Sequence, residues 1–256
     1  MTLVRVLHAE CLKLKRTVAL KMVAIAPAVV VLLVFFMASQ APFSTVARFG
    51  PHGEWAALER SNLRFWGFLM MPLYIALQTA LLAGLDHNDN QWKSLCARPV
   101  PRWTFYVAKL AVALAMSLAS ALLLAAGIVI SGILLPRIQP QLGFPSPVPW
   151  EAIAADSMMM MGLGFLALAI QHWVSLRWRS FSVAVGTGMV ATITGIFATA
   201  AGQQAGGWPQ YFPWALPMLV QSRLPHNLGL TLLLGGAAGV LVAAAGCLEF
   251  SRREIQ

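Results

Sequence analysis

Six apolar runs dominate this chain, at residues 18–38, 66–85, 105–135, 157–176, 181–201 and 228–248. A helix crossing the hydrocarbon core of a membrane needs about 20 such residues, and in lipid a helix satisfies every backbone N–H and C=O internally. Composition agrees: 59% of the 256 residues are hydrophobic and 11% are charged, whereas soluble proteins carry about 25% charged residues. A soluble domain of this length would lack the polar side chains to cover its core. The expected fold is an all-α integral membrane protein, one transmembrane domain over residues 1–256 with six spanning helices. Pro27 and Pro72 should kink the first two spans. The third run is long enough to tilt strongly or to project beyond the bilayer.

Charge orders these spans. The chain carries a net charge of +9, which in a soluble protein would point to nucleic acid. Here the basic residues flank apolar runs, so no nucleic-acid partner is expected. With the N-terminus inside, thirteen Lys and Arg fall on the cytoplasmic side and five outside. The positive-inside rule then places both termini in the cytoplasm. Residues 1–17 read as an amphipathic interfacial helix whose pattern runs over 3–18. Leu3, Leu7, Cys11, Leu14 and Val18 recur along one stripe, with Lys15 and Arg16 opposite, Lys13 on a flank and Glu10 within reach of Lys13 at i, i+3. Such a helix lies flat, its basic side toward anionic headgroups; orientation anchor and partner docking are both open readings. Cys11, Cys96 and Cys247 show no pairing pattern and are expected to be free thiols.

Three connections differ in kind. Residues 54–60 should form a short interfacial helix, and the proline-rich stretch 136–150 an extended loop. Residues 202–227 are too apolar for a free loop and too broken by proline to span, so they are expected to re-enter the membrane or to lie at its surface. Tyr211, Phe212, Pro213, Trp214 and Pro217 belong to this segment. Gly235 and Gly239 form a GxxxG in the sixth run, a candidate surface for packing on a second subunit.

The most informative polar segment is the loop 86–104 between the second and third runs. Asp86 should end the second span where its carboxylate emerges into water. Trp92, Leu95 and Cys96 share one face at i, i+3, i+4, between the basic residues Lys93, Arg98 and Arg102. An apolar knob among cations is a docking element; the plainer reading leaves Trp92 in the headgroup layer. Enzyme signatures are missing: there is no P-loop, HExxH, CxxC or GxSxG. Asp156 and His172 lie near opposite ends of the fourth run, about 24 Å apart along its axis, and His172 is expected at the interface. Gln78 is the candidate polar residue of a cavity. No metal site is expected.

These residues resemble the ABC-2-type permeases, in particular the lantibiotic-immunity and bacitracin-resistance permeases. Their first cytoplasmic loop is matched by Asp86-His87, Asn88 to Gln91, Trp92-Lys93, Leu95, Pro99, Arg102 and Lys109, with Asp86 where that family usually has Glu. The N-terminal Glu10, Lys13, Lys15 and Arg16 and the segment Tyr211 to Pro217 are similar to two further motifs. The resemblance implies a bacterial cytoplasmic-membrane exporter subunit with no cofactor of its own. Its partners would be two copies of a separate ABC ATPase carrying ATP and Mg, a second permease, identical or a sister chain, and membrane lipids. Asp86, Trp92, Lys93, Leu95, Cys96, Arg98 and Arg102 would then couple the two proteins. The implied cargo is an amphipathic peptide antibiotic. A lipid, a polysaccharide or a metal-enzyme maturation factor is an alternative cargo; an intramembrane enzyme and a non-transporting anchor are alternatives of another class.

Overall fold

The computed structural model describes residues 2–40, 53–87, 100–140, 144, 146–178, 180–201, 207–220 and 228–252. The regular structure in these parts is helical, with no strand among the described residues. The helices are α1 (Thr2–Lys13), α2 (Val18–Ser39), α3 (Gly53–Phe65), α4 (Met71–His87), α5 (Arg102–Ile138), α6 (Trp150–Leu163), α7 (Phe165–Arg177), α8 (Phe181–Ala200), α9 (Leu216–Val220), α10 (Leu228–Leu233) and α11 (Gly239–Arg252). Widened π turns at Trp66–Met70 and Leu234–Ala238 join α3 to α4 and α10 to α11. Five helices are long and apolar enough to cross a membrane, and there are six spans if the bent pair α6–α7 counts as one. This is the architecture of an integral membrane protein, and it matches the six apolar runs.

The longest helix, α5, has 37 residues, about 55 Å at 1.5 Å per residue. It is the spine of the molecule: α1, α2 and α6 pack along it, while α4 joins it to α7 and α8. The main core lies where α2, α3, α4, α5 and α6 meet, around Trp66, Tyr74, Leu124, Ile128 and Met160.

Local chemistry explains the breaks. The interfacial helix stops at Lys13 rather than at residue 18, because Arg16 takes a left-handed backbone (φ 67°). Thr17 then starts α2 as its N-cap, its Oγ1 accepting from the Leu20 N–H at 3.3 Å. Pro72 has no N–H, and its ring would crowd the carbonyl four residues back. The π turn just before it, in which Met71 N–H reaches Trp66 O, makes the room. The stretch 54–60 is consequently no separate interfacial helix: α3 runs through this turn into the span. Trp55 is buried, its ring edge-on to Phe144 at 4.8 Å, and its Nε1 donates to Ser146 O at 3.3 Å. Pro136 belongs to the last turn of α5, so the extended loop begins after Ile138.

The fourth span begins earlier than residue 157 and bends by 43° at Gly164. A Cβ on Gly235 would sit 2.8 Å from the Leu163 Cα, and one on Gly239 2.5 Å from the Phe165 ring. The GxxxG of the last span is therefore spent inside the chain, holding α11 against the α6–α7 bend. That corrects its assignment to a second subunit.

A candidate coupling site where four charges meet

Three elements converge at the end of the bundle that carries the N-terminal helix: α1, the last turn of α4 and the first third of α5. The two roots of the loop 86–104 are therefore held side by side. At α5 the start is set by Thr104, whose Oγ1 donates to Pro101 O at 2.6 Å. Arg102 opens that helix, half-buried.

Between the three elements lies a closed ring of two carboxylates and two ammonium groups. Lys13 Nζ donates to Glu10 Oε1 at 2.6 Å and to Asp86 Oδ1 at 2.8 Å. Lys109 Nζ donates to Glu10 Oε2 at 2.6 Å and to Leu82 O at 3.3 Å. It also lies 2.6 Å from Asp86 Oδ2, a close ion pair without hydrogen-bond geometry. Each carboxylate bridges both lysines with its two oxygens, and the ring is neutral as a whole. Asp86, Lys109 and Glu10 are 0%, 1% and 4% exposed, so water screens little of it; only Lys13 reaches the surface, at 26%.

Burial on its own would lower the Lys13 pKa. The hydrogen bonds to Asp86 and Glu10 and the charge of both outweigh that, and the ammonium is held above its ordinary 10.5. Ion pairs in such surroundings cost desolvation, which good geometry offsets. Taking one partner away leaves an uncompensated charge and costs about 3–5 kcal/mol. The ring is thus an all-or-none junction.

Asp86 therefore does not emerge into water, as expected of a span end, but closes the junction from inside. The pair Glu10–Lys13 forms as the i, i+3 spacing predicts. The buried stripe of α1 is rotated from the expected one: Val6, Glu10 and Leu14 face inward, with Leu3 and Leu7 partly buried, while Cys11 is exposed. Apolar periodicity alone misses this, because it counts a paired carboxylate as polar and outward. Lys109 carries a signal that sequence reasoning underused. It is the lone charge between Arg102 and Arg137 in an otherwise apolar helix, and such a charge needs an opposite partner. Trp92, Lys93, Leu95, Cys96 and Arg98 lie outside the described residues. The structure brings together the loop's two roots and α1.

Other candidates fall elsewhere. His172 is not interfacial: it is 1% exposed, its ring edge-on to Tyr106 at 4.8 Å and its Nε2 3.3 Å from Tyr106 O. Gln78 is fully buried and donates to Ser117 Oγ at 2.6 Å, a bond between α4 and α5. It does not line the apolar groove between α2 and α5. At the opposite end Trp214 and Pro217 are buried, with Leu216, Met218 and Leu219 behind them, while Tyr211 is exposed. Phe212 and Pro213 lie between these extremes. Cys11 and Cys247 are free thiols, and no metal-binding cluster occurs among the described residues.

The sequence model of the family described as "ABC-2 family transporter protein" matches residues 6–195. That range contains all four members of the charged ring. No curated protein and no solved structure matches the chain.

Proposed function

The chain belongs to the ABC-2 family of transporter proteins and is a membrane-spanning permease subunit; from that premise, we propose that it drives export when a separate ABC ATPase moves the loop 86–104. The supporting observation is the ring of Glu10, Lys13, Asp86 and Lys109. A loop whose two roots are pinned to one another, and to a third helix, cannot dissipate a push in slack chain. Motion of the loop is delivered to α1, α4 and α5 together, and α5 carries it along its full length. In this reading the ring is at the cytoplasmic end, both termini are inside, and Trp92, Leu95 and Cys96 dock while Lys93, Arg98 and Arg102 fix the loop electrostatically. The cargo is an amphipathic peptide antibiotic, which an apolar body of this kind takes up from the membrane rather than from water. Two ATPase chains and a second permease complete the transporter.

Co-purification with the partner ATPase in membrane vesicles is the direct test. Trp92→Asp should abolish complex formation. Lys13→Gln removes the most exposed member of the ring. It should leave the complex assembled but lower ATP hydrolysis coupled to transport by at least about tenfold, since the charge-assisted bonds to both Glu10 and Asp86 are weakened; Lys13→Arg should restore most of it. A complex that survives Trp92→Asp at full activity removes the docking role of the loop. Full coupling in Lys13→Gln removes the role of the ring.

A further inference from the structure

α2 and α5 run side by side from the same end of the bundle. Ser120 Oγ of α5 donates to Val23 O at 2.9 Å near one end of the contact, and Gln139 Nε2 donates to Ser39 O at 2.5 Å at the other. Between these two ties the outward side of the pair is hollow. A groove of about 450 Å³ runs along residues 24–35 of α2 and 123–134 of α5. Its floor is low because small residues, Ala24, Ala28, Ala126 and Gly127, stand where the neighbouring outward residues are large, such as Leu32, Leu122 and Ile130. The wall is apolar; its one hydroxyl, on Ser131, is already bonded to Ile128 O at 2.8 Å.

Two features say what fills it. The first is length. Eleven residue steps of helix are about 17 Å, close to the depth of one leaflet's hydrocarbon, half of the roughly 30 Å core. The second is charge, which is concentrated at one mouth: the far mouth has the single exposed Arg137, three residues beyond Leu134, and the near mouth has three cations. Lys21 lies three residues before Ala24 on the same stripe of α2, and Lys15 and Arg16 stand in the turn just before that helix. All three are exposed and have no ion-pair partner among the described residues. Arg16 holds a left-handed backbone that glycine or asparagine would adopt more readily. A twofold contact between two copies through this groove would bring the same three cations of each copy toward one another.

We infer that this groove is a binding site for an anionic phospholipid of the leaflet at that end, one acyl chain lying along α2 and α5 and the phosphate held by Lys15, Arg16 and Lys21. This goes beyond a basic helix resting on headgroups, because it assigns a seat to the acyl chain and a stoichiometric place to the lipid. It rests on the chain spanning the membrane and not on coupling to an ATPase.

The test uses the full chain in phosphatidylcholine vesicles containing phosphatidylglycerol, with no ATPase present. Trace phosphatidylglycerol or phosphatidylcholine bearing a diazirine on one acyl chain is photolysed, and the adducts are mapped by mass spectrometry. The outward face of α8, around the exposed Val190 and Phe197, serves as the comparison surface. At residues 24–35 and 123–134 the phosphatidylglycerol probe should label at least about fivefold more than the phosphatidylcholine probe, the preference expected of even one cation near an anionic headgroup. On α8 the two probes should label alike. Exchanging Lys15, Arg16 and Lys21 together for Gln should erase the preference. A second variant, Ala28→Phe with Ala126→Phe, should cut labelling in the groove by either probe and leave α8 unchanged. Three results overturn the inference: equal preference at the groove and on α8, a preference that survives loss of the three charges, or a Leu32→Cys chain that cross-links to a second copy in the vesicle. Since no nucleotide is involved, failure here leaves the coupling proposal standing, and failure of coupling leaves this site standing.

Discussion

The two ends of this bundle are held by different forces. At one end, Glu10, Lys13, Asp86 and Lys109 lock three helices through four ion pairs. At the other, Trp55 lies over Gly132 and against Phe144, and the segment Trp214 to Leu219 is pressed among α6, α8 and the π turn at 66–70. Apolar packing loses energy in proportion to the atoms removed. An ion-pair ring in a dry site fails abruptly when a single partner is missing. A moving end needs discrete states, which a charged ring supplies; a static end needs only dense packing. The contrast places the charge-dependent junction of the molecule where α1, α4 and α5 meet.

Breaking the ring should have the largest effect. Lys109→Met leaves Glu10 and Asp86 facing each other with one cation between them, and should destabilise the chain by about 3–5 kcal/mol in denaturant titrations in detergent. The comparison is sharpened by adding Glu10→Gln to the same chain. Neutrality returns, and more than half of the loss should be recovered. No recovery would mean that packing, not charge, holds that end.

At the apolar end, Gly132→Ala is the matched probe. Its new Cβ would lie 2.4 Å from the Trp55 ring, so overpacking should cost about 1–3 kcal/mol. Trp55→Leu in the same chain should relieve the clash. Coupled ATP hydrolysis should stay intact in any such variant that folds, which separates the two ends functionally. A smaller effect is expected between the ends of α1 and α2. Thr17→Ala removes the N-cap of α2 and should lower stability by about 1 kcal/mol, read as a shift in the midpoint of the same titration.

The smallest effect is a pH dependence confined to the ring. Lys13 has its pKa raised above 10.5 in the folded chain. Its contribution is therefore complete below 10.5 and fades as pH rises through the folded value. Melting temperature should fall more steeply in that window for the natural chain than for Lys13→Met; equal slopes would show that Lys13 does not stabilise the fold through its charge.

Much of this was legible in the residues. Apolar runs of membrane length locate all the spans, because lipid tolerates only helices there and forces each to be long. Glu10 and Lys13 pair as their spacing requires. The break at Arg16 is not legible there, since a left-handed arginine leaves no periodic trace. The buried stripe of α1 is ambiguous in the same way: a carboxylate reads as polar until its partner is known. Gly235 and Gly239 show the limit most clearly. A small-residue pair announces close approach but not to what, and the α6–α7 bend claims both.

The sequence by itself determined that this chain lives in a bilayer as a bundle of about six helices, because hydropathy and segment length are properties of each stretch alone. Only the tertiary structure decided that residues 10, 13, 86 and 109 form one junction. The separation of the Glu10–Lys13 pair from Asp86 and from Lys109 along the chain holds no distance information, and a charge takes its meaning from whatever the fold brings within about 4 Å of it.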